Sequence, residues 1–183
     1  MKHKVYISGT GRCGTTFLVI ILSYLGLDTG YTKQTFSNYI YQNCNSGLDK
    51  QWDDAPYILK SPAFLNQMDR ILSSFIIDYM IIPVRKFEDS ARSRAFHNQQ
   101  PGGLWEAKNY EEQLSFFHKI FENHKKLEKE HHIPTIYLDF DKMISSPEYL
   151  YENLKPILNN ITLIEFTEAF EFATNHQRRK KNV

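Results

Sequence analysis

The chain has 183 residues, with 22 Lys and Arg against 21 Asp and Glu, which gives a formal net charge of +1. This length predicts a single domain over residues 1–183 with a sizeable core. Because the charges nearly balance, the composition argues against nucleic acid or an anionic membrane as a partner. No apolar run approaches the ~20 residues of a membrane-spanning helix.

Cysteine usage and the first residues indicate the compartment. Cys13 and Cys44 neither form a disulfide framework nor belong to a C-x-x-C pair. No signal-like segment follows Met1. We therefore expect a soluble, cytoplasmic protein, and the sequence leaves its oligomeric state open.

The first elements are a strand over residues 5–8, a glycine-rich loop over 9–16 and a helix over 17–25. This arrangement is typical of an anion site, because the N–H groups of the loop converge and the positive end of the helix faces the ligand. Thr15 and Thr16 add two hydroxyls at the start of the helix. The alternative is a tight turn without a ligand.

The rest of the chain alternates between strands and helices. Residues 27–56 are polar, aromatic and aperiodic, and they predict a partly helical insert that covers the acceptor side of a site. Further strands are predicted at 57–60, 79–84 and 135–140, and helices at 63–75, from 87 or 88 onward, at 109–130, 147–158 and 163–173. A loop is predicted at 99–105 and a frayed basic tail at 177–183.

This alternation predicts an α/β fold with three layers, similar to that of P-loop proteins. We expect a parallel sheet of about four strands, in the order 2-3-1-4, with helices on both faces. The ligand of such a sheet binds beyond the carboxyl ends of its strands. Arg12, Lys60, Arg85 and Asp139 all fall at that edge.

The loop departs from the pattern G-x-x-x-x-G-K-[ST] of nucleotide triphosphatases. Gly9 and Gly14 have its spacing, but Thr15 stands where the lysine belongs, and the nearest cation is Arg12. Such a loop is poorly equipped to bind the β- and γ-phosphates of ATP with Mg²⁺. It can still hold a smaller anion.

The loop resembles the 5′-phosphosulfate loop of sulfotransferases, written [KR]-[ST]-G-[ST]-[ST]. Arg12, Gly14, Thr15 and Thr16 match it, and Cys13 replaces the usual hydroxyl residue. The resemblance implies that these residues, with Gly11 before them, hold the 5′ end of the nucleotide. It indicates a short member of bacterial or viral type.

Two further segments carry the resemblance. Residues 85–93 match the Arg, Asp and Ser of the family pattern R-x-P-x-D-x-x-x-S, with Phe87 in place of the proline. The resemblance assigns Arg85 and Ser93 to the 3′-phosphate of the nucleotide. Residues 60–64 resemble the K-[ST]-P-A-[YF] segment of glycosaminoglycan sulfotransferases. For residues 85–94 the alternative is a surface helix of mixed charge, in which Arg92 and Arg94 face the solvent.

The resemblance implies a sulfotransferase that moves a sulfuryl group from 3′-phosphoadenosine 5′-phosphosulfate to a hydroxyl or amine of a small molecule or carbohydrate. The product nucleotide is 3′,5′-ADP. Arg12 and Lys60 would stabilise the departing phosphate, and no metal is expected because cations and helix N–H groups can take its place.

The general base is not evident. Pro62 stands where the cytosolic enzymes have a catalytic histidine, and no glutamate precedes Glu88. Asp28 is our candidate because it lies just beyond the first helix. Asp53, Asp54 and His97 remain open as alternatives.

Two other functions stay open. The chain could be a P-loop kinase of a small metabolite or nucleotide, with Asp139 as its metal-binding residue, or a non-catalytic nucleotide-binding protein.

Two roles stay open for Cys13. Beside Arg12 it could have a reactive thiol, or it could fill the space of the usual serine.

Overall fold

The computed structural model describes residues 1–41, 46–50, 56–98 and 100–179, with side chains to residue 177. The strands are β1 (Lys2–Ile7), β2 (Ile40–Tyr41), β3 (Ser46–Gly47), β4 (Ile58–Lys60), β5 (Phe75–Val84) and β6 (Thr135–Asp139). The helices are α1 (Thr15–Tyr24), α2 (Met68–Ser74), α3 (Phe87–His97), α4 (Tyr110–His131), α5 (Phe140–Ser145), α6 (Pro147–Leu158) and α7 (Leu163–Arg179). Two 3₁₀ turns lie at Phe36–Tyr39 and Pro62–Asn66.

Four strands form one parallel sheet in the order β4-β1-β5-β6, so the predicted α/β class is confirmed. The predicted strand order was wrong, because the order along the sheet is 2-1-3-4 and not 2-3-1-4. Both central strands are apolar and buried, so their composition could not tell which of them pairs with the edge strand β4. In the observed order, the strand of this sheet that follows β1 in the chain lies on one side of the sheet, and the strand that follows β5 lies on the other side. The strand order therefore reverses between β1 and β5, and sheets of this kind bind ligands at the carboxyl ends of the strands at that point.

The sheet separates two apolar layers, because successive side chains of a strand point to opposite faces. Val5 and Ile7 of β1 belong to one layer, with residues of α1, α5, α6 and α7. Tyr6 belongs to the other layer, with residues of α2, α3 and α4. Helix α1 is buried along almost its whole length, so the segment that follows the glycine-rich loop is fixed in the core.

Some element boundaries differ from the prediction. The helix predicted at 63–75 is the 3₁₀ turn Pro62–Asn66 followed by α2, and Phe75 already belongs to β5. Phe75 fits the helical spacing of the residues before it and also the alternation of the strand after it, so the sequence pattern did not decide which element contains it. Phe140, predicted as the end of a strand, is the first residue of α5, because Asp139 caps that helix by accepting from the Lys142 N–H at 2.9 Å.

The insert at 27–56 contains the 3₁₀ turn Phe36–Tyr39 and the antiparallel pair β2 and β3. Helix α7 runs to Arg179, so residues 177–179 of the predicted tail are helical, and residues 180–183 lie outside the described part of the chain. In the described ranges, no helix combines the length and the apolar character needed to cross a bilayer.

Candidate anion and nucleotide site

The glycine-rich loop begins where β1 ends and leads directly into α1. Its backbone has φ angles of 70° at Gly11, 58° at Arg12 and 87° at Gly14, all in the left-handed region. Gly14 is the N-cap residue of α1, its side chain cannot cap the helix, and the first turn contains no acidic residue. The N–H groups of that turn are therefore left for an external acceptor, which is the arrangement that favours an anion.

The loop forms one wall of a cleft of about 480 Å³ at the carboxyl edge of the sheet. This volume lies in the range of about 300–1,000 Å³ that is common for small-molecule sites. The loop and α1 contribute Gly11, Arg12, Gly14, Thr15, Thr16 and Phe17. The remaining wall is formed by Tyr41, Ser46, Asp49, Lys60, Pro62, Ala63, Arg94, residues 100–105 and Gln177.

Lys60 is the last residue of β4 and lies beside Ile7, the last residue of β1. Its side chain is only 5% exposed. The Nζ atom donates to the Gly47 carbonyl at 2.8 Å and forms an ion pair with Asp49 at 3.1 Å. The structure thus brings the predicted lysine to the loop, and it adds a carboxylate beside it that the sequence reasoning missed.

Arg94 is the second functional candidate that the sequence reasoning missed. It is 6% exposed, although residues 85–94 also suggested a solvent-facing arginine here. Its Nε atom donates to the Thr10 carbonyl at 3.0 Å, and its Nη1 atom donates to the Gly103 carbonyl. Burial lowers the pKa of Arg94 to about 10, so the guanidinium remains charged at neutral pH.

The position of Arg94 in α3 explains its burial. Ser90 and Ala91 are the other buried residues of this helix, and Arg94 follows them by four and three positions. Residues at this spacing share one face of a helix. The small side chains at Ser90 and Ala91 mark the inner face, and this signal could have identified Arg94 from the sequence.

Arg12 connects the loop to α3. Its Nε atom donates to the Ser93 hydroxyl at 3.0 Å, and its Nη2 atom donates to the His97 Nε2 atom at 3.2 Å. Arg85 donates from Nη1 to the Arg12 carbonyl at 3.0 Å. Arg12, Arg85 and Ser93 are therefore brought together, but of these three only Arg12 lines the cleft.

Cys13 is fully buried, and its Sγ atom would lie 2.7 Å from a Cβ atom added at Gly9. Burial raises the pKa of the Cys13 thiol, and the hydrogen bond from Thr10 and nearby positive charge only partly oppose this effect. A thiol that is buried and protonated is a poor nucleophile. The geometry supports the interpretation that Cys13 fills space in the loop.

Asp28 is not brought into the site. Its Oδ2 atom accepts from the Tyr57 N–H at 2.8 Å, beside the amino end of β4. Helix α1 starts at the carboxyl edge of the sheet and runs back along it, so a residue just beyond its end lies at the opposite edge. The position of Asp28 therefore does not fit the predicted role of base, and Asp53 and Asp54 lie outside the described residues.

Asp139 is also separate from the cleft. It caps α5 and borders a neighbouring depression that includes Arg85 and Phe140. The Arg85 guanidinium lies 4.9 Å from the centroid of the Phe140 ring.

Among the described residues, no group of three or more His, Cys, Asp or Glu side chains is arranged to hold a metal ion.

No family model, curated protein sequence or solved structure gives a significant match to this chain.

Proposed function

We propose that the cleft binds 3′-phosphoadenosine 5′-phosphosulfate and that the protein transfers its sulfuryl group to an acceptor hydroxyl or amine. The observation that carries this proposal is the convergence of three features on one cleft: the uncapped start of α1, the buried Lys60 and the buried Arg94. A buried cation is costly without a counter-charge. Among the described residues, Lys60 has Asp49 as its carboxylate partner, whereas Arg94 donates to two carbonyl groups and has no carboxylate partner. An anionic ligand beside the helix N–H groups would balance the remaining positive charge.

The glycines of the loop maintain the backbone conformation that forms one wall of the cleft. A Cβ atom at Gly11 would collide with the Arg94 guanidinium, and one at Gly14 would collide with the Met143 side chain. The backbone at both positions is left-handed, which glycine adopts without strain. Alanine at either position would therefore strain the backbone and displace the end of a neighbouring side chain.

The donor molecule supplies an activated sulfuryl group, and the protein supplies position and positive charge. Lys60, Arg94, Thr15 and Thr16 would bind the 5′ end of the nucleotide and stabilise the charge that accumulates on the departing phosphate. Charge-assisted hydrogen bonds of this kind are short and strong when water is excluded.

The 3′-phosphate would be bound around Arg12. Arg85 and Ser93 contact Arg12 and do not line the cleft, so this assignment requires the Arg12 side chain to exchange Ser93 for phosphate oxygens. A bidentate arginine contact is well suited to phosphate. Selection of a nucleotide with a 3′-phosphate would then depend on this cluster.

Binding of nucleotides tests the proposal. We expect isothermal titration calorimetry to show tighter binding of 3′,5′-ADP than of 5′-AMP or of ATP with Mg²⁺. Arg85 supports Arg12 by donating to its carbonyl, so Arg85→Ala should weaken 3′,5′-ADP binding indirectly, by up to about tenfold, or ~1.4 kcal/mol. The affinity for 5′-AMP should stay the same, since this ligand has no 3′-phosphate.

Arg92→Ala provides the matched control, because Arg92 lies on α3, which begins two residues after Arg85. Arg92 is 71% exposed, and Asp89, three residues earlier, is its one ion-pair partner among the described residues. Such pairs contribute little to stability, so this variant should bind both nucleotides like the wild type. Preference for ATP with Mg²⁺ would contradict the proposal. Transfer of labelled sulfate from the donor to added acceptors would then separate an enzyme from a nucleotide-binding protein without catalysis.

A further inference from the structure

The cleft adjoins a second cavity of about 310 Å³ that is formed by the insert. Its walls are Tyr31, Asn38, Tyr39, Ile40, Tyr41, Gly47, Leu48 and Asp49. Tyr41 and Asp49 belong to the walls of both cavities, so the two spaces meet at these residues. We call this second cavity the tyrosine cavity.

The composition of the tyrosine cavity differs from that of the anion cleft. Three tyrosines line it, and the rings of Tyr31 and Tyr39 pack against each other with centroids 5.1 Å apart. Tyr39 and Tyr41 are more than half exposed, so their rings are accessible to a ligand. Apart from Asp49, none of the described residues that line it is charged. Such walls suit a neutral ring that carries a hydroxyl group.

Asp49 lies at the junction of the two cavities with its carboxylate still accessible. Its side chain is 48% exposed, and its Oδ1 atom lies 3.1 Å from the Lys60 Nζ atom. The Asp49 backbone is held by the Tyr31 hydroxyl, which donates to the Asp49 carbonyl at 3.2 Å. Asp49 is also the one carboxylate among the described residues that line the anion cleft. A general base must reach the proton of the acceptor hydroxyl while the hydroxyl oxygen faces the transferred group. Asp49 lies where the two cavities meet, which suits this role.

We propose that the tyrosine cavity receives the acceptor and that Asp49 is the general base for its hydroxyl group. This inference rests on the proposed function. The Asp49 carboxylate takes the proton of the hydroxyl while the hydroxyl oxygen bonds to sulfur. The bond between that sulfur and the bridging oxygen of the 5′-phosphate breaks, and Lys60 stabilises the electron pair left on the phosphate. The products are a sulfate ester, 3′,5′-ADP and a protonated Asp49, which returns its proton to water.

The ion pair with Lys60 allows a competing explanation. Asp49 could serve only to hold Lys60 while no anion is bound. The two roles differ in how they respond to the acidity of the acceptor. A base is needed for an acceptor that is neutral at the assay pH, whereas an acceptor that is already ionised needs none.

The experiment compares Asp49→Asn with the wild type on two probes of similar size, phenol and pentafluorophenol, which is ionised near neutral pH. For phenol we expect kcat to fall by about 10²- to 10⁴-fold, the usual contribution of a general base. For pentafluorophenol we expect little change. Asp49→Glu, which keeps a carboxylate, should restore part of the rate on phenol. Asp69→Asn, an exposed change in α2, is the matched control and should behave like the wild type.

Equal loss on both phenols, or no loss on either, would overturn the role of Asp49 while leaving the transferase proposal intact. A wild-type protein that binds 3′,5′-ADP but transfers to neither phenol would overturn the role of Asp49 and leave only the binding half of the proposed function. A wild-type protein that does not bind 3′,5′-ADP would overturn both. Calorimetry with 3′,5′-ADP on every variant keeps these outcomes distinct and shows that each variant is folded.

Discussion

Gly11 combines an unusual backbone conformation with a position directly beside Arg94, one of the cations of the cleft. Its φ of 70° is unfavourable for any other residue, and a Cβ atom there would collide with the Arg94 guanidinium. Gly26 has a similar φ of 77°, but a Cβ atom at this position would meet nothing within 4 Å. Alanine substitutions at these two positions therefore distinguish two contributions to the loss of stability. Both variants strain the backbone, and only the Gly11 variant also collides with Arg94.

We predict that Gly11→Ala and Gly26→Ala both lower the free energy of unfolding, by roughly 1–2 kcal/mol for the left-handed backbone. Only Gly11→Ala should also displace Arg94 and weaken 3′,5′-ADP binding. Urea denaturation and calorimetry on both variants measure the two effects. Equal nucleotide affinity of the two variants would show that Arg94 takes no part in binding.

Three residues were predicted at this edge because they end or directly follow a strand: Lys60 lines the cleft, whereas Arg85 and Asp139 do not. Lys60 was placed correctly at the anion cleft because it is the last residue of a short apolar strand. Asp49 could not be found in this way, since it lies in an insert whose path has no periodic signal. Asp28 follows α1 closely in the sequence, but α1 runs away from the cleft. Asp28 therefore lies at the opposite edge of the sheet.

At the scale of elements, the alternation of apolar runs was enough to predict the four strands of the sheet and the main helices. The end of α6 at Leu158 agrees with the prediction, because Asn159 and Asn160 follow its last apolar residues. The order of the central strands and the short β2–β3 pair were not predictable in the same way. Both depend on contacts between distant segments, which local pattern does not encode.

Helix α4 contains an element-scale feature that the site does not use. His124 is fully buried on its inner face with Phe117 and Ile120, and neither ring nitrogen has a hydrogen-bond partner among the described residues. Burial lowers the pKa of His124, and the charge of Glu128 on the next turn opposes this only in part. The folded protein therefore holds His124 in its neutral form.

This burial predicts a loss of stability in acid. The unfolded chain binds a proton at His124 below about pH 6.5, and the folded chain does so only at lower pH, so the free energy of unfolding falls by up to about 1.4 kcal/mol per pH unit in between. Above that range the histidine makes no pH-dependent contribution. Urea denaturation at a series of pH values should show a shallower acid slope for His124→Leu. His118→Leu, an exposed change on the same helix, should keep the wild-type slope, and identical slopes for both variants would contradict the prediction.

At the scale of the whole molecule, one edge of the sheet collects positive charge although the chain as a whole is almost neutral. Arg12, Lys60 and Arg94 line the anion cleft, and Asp49 is their single acidic neighbour among its described residues. These cations come from the first loop, from β4 and from α3, and the parallel sheet brings them together. The proposed anion site therefore exists only in the folded state.

A ligand that binds only the folded state should therefore raise the melting temperature. At a concentration of 100 times its Kd the gain is about 2.7 kcal/mol, which corresponds to about 5–10 °C for a domain of this size. We predict such a shift for 3′,5′-ADP in differential scanning calorimetry, and a much smaller shift for Lys60→Met, which lacks the ammonium group. Lys126→Met is the control, because Lys126 is 72% exposed on α4 and does not line the cleft. Lys60→Met also removes the bonds to Gly47 and Asp49, so it changes the stability of the ligand-free protein. The quantity to compare is therefore the rise in melting temperature that the ligand causes in each variant. A shift in Lys60→Met equal to that of the wild type would mean that the nucleotide binds elsewhere on the molecule.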